Sequence, residues 1–116
     1  MKVLSITGEA VPAGKGGSPS DTFDRSMVTY ESDNATKSFT VTYPRYFDKV
    51  LAERGIYDQE KEGVPVSRIV AILYVEKHPN VRESRTYYND TEQFLTLFEG
   101  FSFADFKSKY GSLASA

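Results

Sequence analysis

Residues 66–77 read VSRIVAILYVEK. The run is apolar on both sides of a two-residue period, which is the pattern of a strand buried on both faces. It is therefore expected to be the central strand of a sheet. The rest of the chain is placed around it.

Downstream, across the turn His78-Pro79-Asn80, lies VRESRTYY at 81–88. Neither of its alternating faces is cleanly apolar. That suggests an edge strand whose charges discourage pairing with another edge. Upstream, the polar break YDQEKEG at 57–63 separates the run from a helix expected to start near Pro44. Phe47, Val50, Leu51 and Arg54 follow at helical spacing, Gly55 supplies a left-handed stop, and Ile56 is the hydrophobic residue beyond it.

Before that helix, DRSMVTYES (24–32) and KSFTVTY (37–43) are rich in β-branched and aromatic residues and are joined by DNAT, so they read as a hairpin. Phe39, Val41 and Tyr43 share one face of the second strand, and Ser38, Thr40 and Thr42 share the other. KVLSI at 2–6 is a short first strand. Toward the C-terminus, Asp90 with Gln93 three residues on makes a capping box, and Phe94, Leu97, Phe98 and Phe101 repeat on one helical face. Gly100 should end or bend that helix. Ser102 is placed to cap a second, short one with Phe103, Phe106 and Tyr110 inward and Gly111 closing it.

The expected fold is α+β: an antiparallel sheet of about five strands with two to three helices on one face, in the order β-β-β-α-β-β-α, a two-layer sandwich. At 116 residues the chain reads as one globular domain spanning 1–116. A Gly/Pro/Ser-rich flexible loop is expected at 8–22 and a frayed tail at 112–116.

That loop, GEAVPAGKGGSPS at 8–20, raises the question of phosphate binding. A Walker loop needs two glycines bracketing four residues, then Lys, then Ser or Thr, then a helix. Here Gly8 and Gly14 bracket five residues, Gly16 follows Lys15, and Pro12 removes a backbone donor. The dinucleotide pattern fails too, because its third glycine would fall on Pro19.

No catalytic set assembles from the rest. Cysteine is absent, which removes thiolate chemistry and thiolate metal sites. His78 is the single histidine, too few for a histidine metal site. The carboxylate pairs Asp21/Asp24, Glu60/Glu62 and Asp90/Glu92 lack the apolar surroundings that would tune an acid. No catalytic residue, metal or cofactor is expected, and an enzyme acting on a small ligand is only the third reading.

The formal charge of −2 shows no basic excess. No apolar run is long enough to span a bilayer, and the N-terminus lacks a signal peptide's core, so a small soluble cytoplasmic protein is expected. The first functional reading is a non-catalytic interaction protein, an inhibitor, adaptor or accessory subunit. It would dock a protein partner through a sheet edge or an exposed aromatic patch. The residues assigned to that surface are Lys77, Arg82, Arg85, Tyr87 and Tyr88, because Arg and Tyr dominate interface hot spots. Phe101 and Phe103 join them from a cluster denser in Phe than one short helix needs. The alternative is a single-stranded nucleic-acid binder using sheet aromatics, Tyr30 and Tyr74 included if they face outward. A homodimer through the edge strand is a further expectation.

Overall fold

The computed structural model describes residues 2–11, 23–78 and 84–114. Three strands, β1 (Lys2–Val11), β2 (Phe23–Ser32) and β3 (Ala35–Pro44), form an antiparallel meander. Three helices follow, α1 (Tyr46–Glu53), α2 (Gln59–Glu62) and α3 (Val66–Lys77). A short strand β4 (Arg85–Tyr87) then pairs parallel to β3, giving the sheet order β1-β2-β3-β4. Helix α4 (Thr91–Leu95), a 3₁₀ turn (Thr96–Phe98) and helix α5 (Phe103–Ala114) complete the described chain. The fold is thus α+β, with helices packed on one face of a small mixed sheet.

The main correction concerns residues 66–77. The run expected to be the central strand is α3, so the described sheet has four strands, and among the described residues five helices stand where two or three were expected. A helix enclosed on several sides is apolar nearly all round, as a doubly buried strand is, so period alone does not separate the two. Val66, Ile69, Val70, Ala71, Ile72 and Val75 are all fully buried, between the sheet and the helical segments that follow β4. The change also sets the direction of β4. Parallel neighbours require a long crossover, and α1 to α3 provide it between β3 and β4.

Local signals behave as local chemistry requires. Asp33 and Asn34 both take positive φ, 53° and 63°, in a two-residue turn of the kind that matches strand twist. That turn places Val28 opposite Phe39 and Ser26 opposite Val41. Helix α1 ends in a Schellman motif: Ile56 N–H donates to the Leu51 carbonyl at 2.9 Å and Gly55 N–H to Ala52 at 3.1 Å. Gly55 has φ +70° and open space where a Cβ would sit. Gly55→Ala is therefore expected to lower stability by about 1 kcal/mol through backbone strain alone. A urea titration checks this, and an unchanged midpoint would contradict it.

The Asp90 carboxylate accepts from Gln93 N–H at 3.0 Å, and Ser102 Oγ accepts from Asp105 N–H at 3.4 Å, as the capping pattern implies. Helix α5 runs through Gly111 to Ala114 rather than closing at the glycine, so it covers part of the expected tail. Strand β1 likewise continues through Gly8 to Val11, because β2 offers a ladder partner at each step from Gly8↔Ser26 to Val11↔Phe23. The first positions of the expected 8–22 loop are thus strand. Lys15 and the remainder of the loop lie outside the described residues.

The core lies between the sheet's inner face and the helices. Val28, Tyr30, Phe39, Val41 and Tyr43 meet Phe47, Leu51, the α3 side chains and Phe94 there. A register shift between Val3 and Ser5 lets both Val3 and Ile6 point inward despite their spacing.

Candidate functional site: the open face of the sheet

Because strand side chains alternate, burying Val28 and Phe39 fixes what the opposite face displays. That face carries Thr7 on β1, Phe23, Arg25, Met27 and Thr29 on β2, Ser38, Thr40 and Thr42 on β3, and Arg85 and Tyr87 on β4. Sheet twist makes much of it a concave surface of about 1000 Å³, lined by Thr7, Arg25, Met27, Thr40, Thr42, Arg85 and Tyr87 among others. All the described helices that pack on the sheet do so from the other side.

Two apolar groups stand open here, Met27 at 44% exposure and Tyr87 at 51%. Phe23 is half-buried, with its ring 5.6 Å from that of Tyr87. Between them Thr42 is paired with Arg25 on one side and Tyr87 on the other. Arg85 is exposed and has no carboxylate partner among the described residues. The register sets Glu9 opposite Arg25. The remaining surface is hydroxyl-rich, with Thr29 and Ser38 hydrogen-bonded at 3.2 Å. Such a surface offers aromatic and thioether area, a guanidinium and many small donors and acceptors.

The residues singled out from the sequence do not form one site. Arg85 and Tyr87 lie on the open face. Tyr88 points the other way and is buried, with its ring 5.8 Å from Phe94 and 6.2 Å from Tyr74. Burial, with the neighbouring Tyr74 second, pushes its hydroxyl up to about 12. Lys77 and Phe101 line a separate, shallower groove of about 270 Å³ between α3 and α5, where Lys77 Nζ donates to the Thr96 carbonyl at 2.9 Å. Phe103 is half-buried with its ring 5.1 Å from Tyr57. Arg82 lies outside the described residues.

Tyr30 and Tyr74 do not face outward. Tyr30 is 1% exposed inside the core, and Tyr74 stacks on Phe39 at 4.7 Å. Phe23, Arg25 and Met27 were not among the residues singled out from the sequence. Their signal was present in the hairpin, since a two-residue turn at 33–34 puts Tyr30 on the buried face with Phe39 and leaves the odd residues of β2 outside.

Beneath the Phe23 end of this face sits a polar network. The Tyr43 hydroxyl is 2.8 Å from Asp48 Oδ1, to which it donates, and 3.4 Å from Asp24 Oδ2. Arg45 Nε donates to Asp24 Oδ1 at 3.0 Å, and Gln59 Nε2 to Asp48 Oδ2 at 3.4 Å. The other end of Gln59 accepts from Val66 N–H at 2.9 Å, tying the network to the start of α3. Asp48 is buried. That burial, followed by its hydrogen bond with Asp24, raises its carboxyl to about 8. Asp48 lies outside the three carboxylate pairs considered from the sequence, and its surroundings come from packing between α1, β2 and β3. Elsewhere Glu60 and Glu62 are exposed on α2, and Glu92 pairs with Arg54 at 3.1 Å.

Among the described residues no group of three or more His, Asp or Glu is arranged to hold a metal ion, and no helix is long and apolar enough to cross a membrane. No protein-family model matches the chain, and no curated protein or solved structure matches it either.

Proposed function

We propose that this chain is a non-catalytic interaction protein that docks a protein partner on the open sheet face, as an inhibitor, adaptor or accessory subunit. One observation carries the reading: Met27 and Tyr87 stand exposed on a concave face that also holds Phe23, with Arg25 between Phe23 and Met27 on β2 and Arg85 on the edge strand β4. Aromatic, Met and Arg side chains are the groups enriched where proteins meet. A few such anchors supply most of the affinity of an interface.

Single-stranded nucleic acid is the second reading, favoured by the Phe23–Tyr87 ring pair next to Arg85. Bases stack on such rings while cations follow the backbone.

The full chain, immobilised and used to capture partners from a native lysate, tests both. Tyr87→Ala with Arg85→Ala is expected to reduce the captured partner at least about tenfold, the effect of losing ~1.4 kcal/mol of binding. Lys49→Ala, an exposed site on α1, should leave capture unchanged. A protein band that survives nuclease supports the first reading. A nuclease-sensitive complex whose affinity falls steeply with salt supports the second. Capture unaffected by the double substitution would rule out this face for either.

A further inference from the structure

Asp24 belongs to both halves of the molecule. Its own side chain enters the polar network on the inner side of the sheet, while its neighbours Phe23 and Arg25 project to the open face. The network holds two carboxyl groups and one cation. Arg45 serves Asp24 from a position 46% exposed. Asp48 receives only the Tyr43 hydroxyl and the Gln59 amide, both neutral.

The side chains that act on Asp48 are Asp24, Tyr43 and Gln59, and none of the three is a cation. β2 presents Asp24, β3 presents Tyr43, and α2 presents Gln59. On α1 itself Lys49 and Glu53 are exposed, and α4 contributes the ring of Phe94 against Tyr43 and Phe47. Two ionised carboxylates so placed repel strongly in a poorly solvated site, so one proton is retained between them.

We propose that this shared proton is a switch that sets the position of the first residues of β2, and through Phe23 and Arg25 the shape of the binding face. The inference rests on the open face being the docking surface. With the proton present, Asp24 and Asp48 lie together and the Phe23 ring is held 5.6 Å from Tyr87. When the proton leaves, the two carboxylates separate. Asp48 sits in a helix closed by the Gly55 motif, whereas Asp24 is the second residue of its strand. Phe23 forms the last rung of the ladder on both sides, with Val11 and with Pro44. Terminal rungs open before interior ones, so this end moves and carries Phe23 away from Tyr87.

NMR of the full chain, with labelled Asp carboxyls and aromatic rings, tests this without a partner. In the native protein the Asp48 carboxyl should titrate near pH 8, and the Phe23–Tyr87 ring cross-peaks should weaken with the same midpoint. Asp48→Asn should keep those cross-peaks at both pH 6 and pH 9. Asp24→Asn should lower the Asp48 midpoint by about one pH unit or more, since it removes the neighbouring like charge. An Asp48 midpoint below 5, or ring cross-peaks indifferent to the Asp48 titration, would overturn the switch. These signals concern the chain alone. A failed capture experiment therefore sinks the docking reading, and an unresponsive ring pair sinks the switch, each separately.

Discussion

Replacing Phe94 by Ala is expected to cost about 4 kcal/mol of folding stability, within the range for removing a buried Phe. The side chain is fully buried, and its ring lies 4.9 Å from Phe47, 5.0 Å from Tyr43, 5.7 Å from Phe98 and 5.8 Å from Tyr88. Those rings come from α1, β3, the 3₁₀ turn and the segment after β4, so one side chain joins four parts of the chain. Rigid rings on all sides cannot close the space that Ala would leave, which puts this site at the unfavourable end of cavity formation. Helix α4 has only five residues and would not persist on its own. Its attachment depends on Phe94 reaching the core. For a chain of this length the loss corresponds to roughly 15–25 °C in Tm. Urea and thermal unfolding of Phe94→Ala and of the milder Phe94→Leu would measure it. A loss under about 1 kcal/mol for the Ala variant would mean that the aromatic cluster adds little beyond the sheet and α3.

The parts of this fold that could be read in the sequence are those whose cause lies within a few residues. The Asp33-Asn34 turn, the Gly55 stop, and the Asp90 and Ser102 caps each satisfy backbone groups next to them, and each takes its expected place. Alternation in β3 is equally legible, because Phe39, Val41 and Tyr43 sort cleanly from Ser38, Thr40 and Thr42. Residues 66–77 mislead because burial on several sides erases the polar stripe that separates period 3.6 from period 2. Two cues point to the helix: twelve residues exceed an ordinary buried strand, and Pro65 precedes a run with no other breaker. The parallel pairing of β4 follows from that helix and cannot be found before it.

The candidate site is half legible. Arg85 and Tyr87 stand out by residue type, and the structure places them on one surface. Tyr88, next in sequence, faces the core, since neighbouring strand residues point oppositely. Phe23, Arg25 and Met27 become visible only when the hairpin register is applied to β2. The Asp24–Asp48 pair has no local signature at all. It exists because the register sets Asp24 beside Tyr43 and because α1 folds back to bring Asp48 under the same hydroxyl.

That pair sets an unusual expectation for stability against pH. The Asp48 carboxyl is raised to about 8 in the folded chain, by burial first and by Asp24 second, against an ordinary value of 3.8. Between those two values the folded state holds a proton that the unfolded state has released. Stability therefore falls as pH rises through this window, the reverse of a carboxylate that gains a cation on folding. The contribution is fully present below about pH 4 and is lost as pH passes 8. Every tenfold difference in proton affinity between the folded and unfolded chains is worth about 1.4 kcal/mol. Relaxation of the Asp24 end of β2 returns part of that, so a fall on the order of 3 kcal/mol is expected from this pair. Asp48→Asn keeps the side chain's shape while removing the charge. It should flatten the profile between pH 5 and 8 and leave the variant more stable than the native chain at pH 9. Urea midpoints measured across pH 4–9 for both proteins decide the matter, because only the difference between them isolates Asp48 from the exposed carboxylates. If the native chain grows more stable than Asp48→Asn as pH rises, Asp48 is ionised and compensated at neutral pH, and the single-proton account of the network is wrong.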